Sequence, residues 1–180
     1  MKEQVGRDLQ FSDLSPGDVE DIYSLCSGCI YWELPEEFAK QPSPKETQRL
    51  KAEWLVARAT NGVLGKIARK EGKLVGFIQF GPPELYPQSL RYQSGPVSRD
   101  AMMITCLFVG SEYRRRGLGR RLLSLAEEAA RQTGYSAIET FARRGSSDNP
   151  SGPIELYLEC GFVVVKDDEF PLVRKGLQNI

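Results

Sequence analysis

The chain of 180 residues contains no histidine. That absence removes Ser-His-Asp and Cys-His nucleophilic machinery, together with every metal site that depends on imidazole. An excess of one charge is missing too. Lys and Arg number 24 and Asp and Glu number 24, a formal net charge of zero, without the basic surplus that marks nucleic-acid proteins. No apolar run approaches the roughly 20 residues of a membrane span. Met1-Lys2-Glu3-Gln4 leads into no signal-peptide core, so cytoplasmic residence is expected. Gly-Lys-Ser and Gly-Lys-Thr do not occur, which excludes the usual nucleoside-triphosphate loop. Repeats, low-complexity tracts and clear linkers are absent as well, and one domain over residues 1–180 is the simplest expectation.

The most informative segment lies between residues 102 and 134. Met102-Met103-Ile104-Thr105-Cys106-Leu107-Phe108-Val109 has the apolar, β-forming composition of a buried strand. Further on, Leu118, Leu122, Leu125, Ala126 and Ala129 recur at helical spacing, and Gly134 suits a left-handed helix stop. Arg114-Arg115-Arg116-Gly117-Leu118-Gly119 stands between strand and helix. A glycine-rich turn opening a helix presents unpaired backbone N–H groups at the positive end of the helix dipole, an anion site. Three adjacent arginines favour a ligand with more than one phosphate. A dinucleotide fingerprint would need a third glycine where Leu122 stands.

In this setting, Arg-x-x-Gly-x-Gly resembles the acetyl-coenzyme A signature of the GCN5-related N-acetyltransferases (GNAT). The resemblance implies an α/β (α+β) fold with a mixed, mostly antiparallel twisted sheet of about six or seven strands flanked by helices. Its central strands would splay to admit the pantetheine arm. It also implies acetyl-coenzyme A as co-substrate, with no metal. Leu107, Phe108 and Val109 match the strand whose backbone pairs with pantetheine amides. Arg114, Arg115, Arg116, Gly117, Leu118 and Gly119 match the pyrophosphate loop, where main-chain N–H groups do most of the binding.

A second match lies downstream. Leu156-Tyr157-Leu158-Glu159-Cys160-Gly161-Phe162 is similar to the family's Phe-Tyr-Glu-Lys-Leu-Gly-Phe element, on a short helix that Pro153 opens and Gly161 ends. The resemblance gives Tyr157 the role of acid for the departing thiolate. A core tyrosine with a satisfied hydroxyl is the competing reading. Where members often carry an asparagine, this chain has Pro150, with Asn149 beside it. Arg143 and Arg144 follow as candidates for the 3′-phosphate. Glu139, in the strand-like Ala137–Phe141, matches a base used by some members, although an edge glutamate with a structural partner reads equally well. Glu33 is the next candidate, among Tyr31, Trp32 and Phe38.

Cys26 and Cys29 form a Cys-x-x-Cys pair that the family pattern does not require. Two reduced thiols, a zinc site and a regulatory disulfide all remain open, although Cys106 and Cys160 are poorly spaced as a second ligand pair. The other expected elements are a strand at 8–11, a helix at 18–25, a helix at 44–59 that the capping box Ser43-Pro44-Lys45-Glu46 opens, and a hairpin of 65–69 with 74–80. Ile30-Tyr31-Trp32-Glu33-Leu34-Pro35 reads as a loop. The long connection 82–100 has the character of a lid over the acceptor, supplying Glu84 or Tyr86. The reading that results is an acetyl-coenzyme A-dependent N-acetyltransferase whose acceptor is a small-molecule amine or a protein or peptide, with a homodimer left open. A non-catalytic acyl-coenzyme A sensor with a metal or redox input at the cysteine pair is the alternative, and a longer acyl donor is a further option.

Overall fold

A computed structural model describes residues 8–25, 30–145 and 151–177. Seven strands form one mixed sheet in the order β1-β2-β3-β4-β5-β7-β6. They are β1 (Leu9–Asp13), β2 (Gly65–Lys70), β3 (Lys73–Gly81), β4 (Ala101–Val109), β5 (Ala137–Phe141), β6 (Val163–Lys166) and β7 (Leu172–Gly176). Every pairing is antiparallel except β4 with β5. The expected sheet class is therefore observed.

Local chemistry explains the elements. The β2–β3 turn is Glu71-Gly72, with φ of 50° and 78°, and a two-residue hairpin needs positive φ at both positions. Helix α1 (Val19–Leu25) follows a turn in which Ser15 N and Oγ both donate to Asp18 Oδ2, at 2.8 and 2.6 Å. Residues 30–34 form turns, in keeping with the loop expected at Ile30–Pro35, and Leu34 leads into α2 (Pro35–Ala39), a five-residue helix absent from the sequence expectations. Proline at its first position fits, but five residues carry no readable periodicity. In α3 (Pro44–Ala57), Ser43 Oγ accepts from Glu46 N at 3.3 Å, the expected N-cap.

Helix α4 (Leu118–Gln132) ends in a full Schellman motif. Gly134 N donates to Arg131 O and Tyr135 N to Ala130 O, with Gly134 at φ 85°. Its buried face is Leu118, Leu122, Leu123, Ala126, Ala129 and Ala130. Leu125 is half-buried, so the face is rotated slightly from the expected stripe. Burying each of those leucines contributes about 1.5–3 kcal/mol. Helix α5 (Ile154–Glu159) begins just after Pro153. Strand β7 is not evident from the sequence, because Leu172 and Val173 are its only large apolar residues. It is inserted between β5 and β6 all the same.

The sheet separates two cores. Under α4 lie Ile78, Phe80, Met102, Ile104, Leu107 and Val173. The opposite face, towards α1 and α3, holds Phe77, Met103, Cys106, Phe141, Trp32, Trp54 and Tyr86. Ile104 and Leu107 share a face despite their odd spacing. Gln79 pairs with Cys106 and Phe80 with Ile104, which leaves Thr105 as the extra residue of a β-bulge.

Candidate active site

Strands β4 and β5 pair over three positions, Ala101 with Ala137, Met102 with Ile138 and Met103 with Glu139. Beyond these, Cys106–Val109 pair with β3, while Thr140 and Phe141 pair with β7. Thr140 Oγ1 donates to Ile104 O at 2.9 Å where the strands part. The far half of β4 thus offers an unshared edge towards β5, the edge an extended ligand can complete as an added strand. Leu107, Phe108 and Val109 lie along it, and Phe108 is steadied by a stacked contact with Phe77 at 5.9 Å.

The open edge runs into the arginine turn. Gly110 leads a turn at Ser111–Tyr113, Arg115 has φ 61°, and Gly117 caps α4 at φ 89°. No side chain caps the helix, and the N–H of Arg121 is the one that reaches Gly117 O. The N–H groups of Leu118, Gly119 and Arg120 belong to the first helical turn, which has no intrahelical partners for them. A side chain at Gly117 meets strain from its left-handed backbone. At Gly119, a Cβ would stand 3.4 Å from Leu156 Cδ2 and 3.7 Å from Val109 Cγ2, so glycine lets α4 approach β4 and α5. Arg114, Arg115 and Arg116 are exposed, and Arg114 Nε folds back to Val109 O at 3.1 Å. The geometry is a backbone anion cradle with cationic side chains around it.

Tyr157 stands beside the opening. It is fully buried, its hydroxyl donates to Ser151 O, and its ring meets Phe162 edge-on at 5.1 Å. A Cβ on Gly152 would lie 3.4 Å from the Tyr157 hydroxyl and 3.7 Å from Leu107 Cδ2, which places that hydroxyl next to the β4 edge. Burial pushes the phenol well above its usual range, against a smaller lowering by Thr140.

Glu139 has a different setting. Its side chain is wholly buried, Oε1 accepts from Arg174 Nη1 at 2.6 Å, and Oε2 accepts from Ser98 N at 2.8 Å. Arg174 also binds Asp100, whose carboxyl is held well below the ordinary carboxylate range by Arg174 and the Ser136 hydroxyl. Glu139 lies in the paired part of the seam with both oxygens committed. The base expected there is, by geometry, a strut between β5, β7 and the 82–100 connection. That connection is not an open lid: Tyr86 is fully buried and donates to Phe80 O at 2.9 Å, and Gln88 N donates to Trp32 O at 3.3 Å.

On the face opposite α4 lies a network that the sequence shows only in part. Glu33 Oε1 receives both Lys51 Nζ and Gln79 Nε2, and Lys51 Nζ also donates to Gln79 Oε1 at 2.6 Å. All three residues are buried. Lys51 shares the inward face of α3 with Thr47, Trp54 and Leu55, and a lysine on such a face is the available signal. Arg143 sits over the Phe170 ring at 5.5 Å, and Arg144 pairs with Asp167 at 2.6 Å. Cys26, Cys29 and Asn149 lie outside the described residues. Among the described residues no cluster of His, Cys, Asp and Glu could hold a metal, and no helix is long and apolar enough to cross a membrane.

The acetyltransferase (GNAT) family model matches residues 28–162. The chain belongs to the GNAT family. No curated protein matches it, whereas many solved structures share the GNAT fold. The PaiA N-acetyltransferase of Thermoplasma acidophilum, in complex with coenzyme A, aligns with a TM-score of 0.65 at 18% identity, covering 93% of this chain and 98% of that one. YncA of Salmonella typhimurium, with its cofactor acetyl-coenzyme A, aligns at 0.63 and 16% identity over 96% and 95% of the two chains. The ribosomal-protein-S18-alanine N-acetyltransferase of Escherichia coli aligns at 0.57 and 17% identity, over 96% of each. As a GNAT acetyltransferase, the chain is an acyl-transferring enzyme.

Proposed function

We propose that this GNAT protein moves the acetyl group of acetyl-coenzyme A to an amine by direct attack on the thioester. The observation that carries the reading is the continuity of the open β4 edge with the uncapped N-terminus of α4. One run of backbone can pair with an extended amide-bearing arm and then meet a diphosphate. The residues present fit that substrate. Leu107–Val109 pair with the arm, the N–H groups at Gly117–Arg120 face the pyrophosphate, and Arg114, Arg115 and Arg116 supply surrounding positive charge. The coenzyme A and acetyl-coenzyme A of the neighbouring structures support the same assignment.

The amine lone pair forms the new C–N bond, the C–S bond breaks, the amine gives its proton to water, and coenzyme A departs as a thiolate that water then protonates. A backbone N–H near Phe108 polarises the thioester carbonyl. Tyr157 turns its hydroxyl from Ser151 O to the departing sulfur. Because burial raises the phenol far above a thiol of reference pKa about 8.5, full proton loss to the sulfur is uphill. Tyr157 therefore acts chiefly by donating a hydrogen bond to the developing thiolate. Glu139 receives no proton-transfer role, because Arg174 and Ser98 occupy its oxygens. Replacing Tyr157 by Phe is expected to lower kcat by about 100-fold, the scale of losing one hydrogen-bond donor to developing negative charge, while the affinity for acetyl-coenzyme A stays within twofold. Unchanged turnover removes Tyr157 from the chemistry. Failure of the wild-type protein to bind acetyl-coenzyme A in a calorimetric titration removes the reading altogether.

A further inference from the structure

On the face opposite α4, three buried polar atoms have no hydrogen-bond partner among the described residues: Trp32 Nε1, Glu33 Oε2 and Gln88 Oε1. They belong to two segments tied together by the Gln88 N–Trp32 O hydrogen bond. Glu33 is the most demanding of them. Its side chain is 1% exposed, and Lys51 and Gln79 both bind Oε1, leaving Oε2 bare. A buried acceptor without a partner costs about 1–3 kcal/mol, and more when charged, so such an atom is ordinarily met by a water or by a ligand group.

The location narrows the group. Gln79 is paired with Cys106 at the β4 bulge, one residue from Leu107 and the open edge. Trp32 stacks on Phe141, the last residue of β5, at 6.0 Å and 13°. Together they place the 30–34 segment across the parting of β4 and β5, on the face away from α4. The donor's phosphates are held at the N-terminus of α4, so the nucleophile's natural approach is through this opposite face.

We propose that Glu33 Oε2 receives the amine of the acceptor, with Gln88 Oε1 as a second acceptor of its N–H groups and Trp32 Nε1 donating to an oxygen on the same molecule. The acceptor is then a compact primary amine with a hydroxyl or carbonyl oxygen close to its nitrogen, an amino alcohol or an amino acid. A folded protein is a poor fit, because all three atoms are buried and the Trp32 ring is packed among Tyr31, Tyr92 and Phe141. Lys51 and Gln79 are positioning residues that fix the carboxylate through Oε1. The assignment rests on the N-acetyltransferase reading above.

The test uses the full chain with acetyl-coenzyme A, following thiol release with 2-aminoethanol, L-serine, ethylamine and an unstructured peptide bearing a free N-terminus. The wild type is expected to acetylate 2-aminoethanol or L-serine with at least tenfold higher kcat/KM than the peptide. Glu33→Gln raises the amine KM at least tenfold while acetyl-coenzyme A affinity stays within twofold. That variant leaves the buried Lys51 charge without its carboxylate, so the double variant Glu33→Gln/Lys51→Met, which removes both charges, is measured beside it with its Tm. It should bind the donor as the wild type does and show the same loss. Trp32→Phe should penalise 2-aminoethanol and leave ethylamine unaffected. A wild-type amine KM in the double variant overturns the site, as does preference for the peptide or no turnover of either small hydroxylated amine. Loss of acetyl-coenzyme A binding in the wild type condemns the donor assignment instead, which keeps the two failures apart.

Discussion

The two sides of this active site are built from different materials. The proposed donor side is a stretch of consecutive backbone, from the open edge at Leu107 through the turn to Arg120, with glycine where the chain bends back and arginine facing solvent. The proposed acceptor side is assembled from buried side chains far apart in sequence: Trp32, Glu33, Lys51, Gln79 and Gln88. Main-chain recognition leaves a contiguous trace, because the conformation it needs restricts neighbouring residues together. Side-chain recognition leaves isolated letters. A cradle for an invariant diphosphate suits the first construction, and selection among amines suits the second.

Substitutions can break that contrast, starting with the largest expected effect. Glu139→Ala leaves the Arg174 guanidinium facing the interior without its inner partner, at a cost of about 2–3 kcal/mol. The fall is to be read by chemical denaturation, with kcat per folded molecule unchanged. A loss of kcat at full stability would return Glu139 to the chemistry and place side-chain catalysis in the seam. Gly117→Val forces a β-branched residue into the left-handed region at φ 89°, with an expected penalty of about 1–2 kcal/mol. Calorimetry should then show donor affinity down roughly tenfold, with the amine KM untouched. Arg115→Ala removes an exposed charge worth about 0.5 kcal/mol, a weakening of about twofold that fades as salt is raised. If Arg115→Ala proves more harmful than Gly117→Val, the cradle is held by side chains after all.

The smallest effect concerns pH. Asp100 is depressed in the fold by Arg174 and Ser136, so it adds stability that is fully present above its unfolded value of about 3.9 and is lost as pH falls through the folded one. With no histidine in the chain, thermal stability should stay level between about pH 5 and 8. It should decline below about pH 4, and Asp100→Asn should flatten that acid decline.

What could be read in the sequence follows the same division. The strand, turn and helix around Arg114–Gly119, the Glu71-Gly72 hairpin and the Ser43 cap are local, and each announces itself through residues that few other conformations demand. Tyr157 was legible by its distance from Gly161. Its bond to Ser151 was not, since a chain reversal brings those residues together. Strand β7 escaped because Lys175 and Arg174 interrupt its apolar pattern, Arg174 being recruited to Glu139 and Asp100. Glu33 was visible as a glutamate among aromatics. Its partners Lys51 and Gln79, 18 and 46 residues away, were not.

Three residue pairs join β4 to β5, and past Met103 the strands go separate ways. Alternate amides of the remaining stretch of β4 point away from β3, as antiparallel pairing dictates, and so face the gap. Their protons should trade for deuterium quickly in the ligand-free enzyme and slowly once an arm of amides lies against them. The sheet thus carries its own isotopic gauge of donor occupancy, one that can be read before any acceptor has been found.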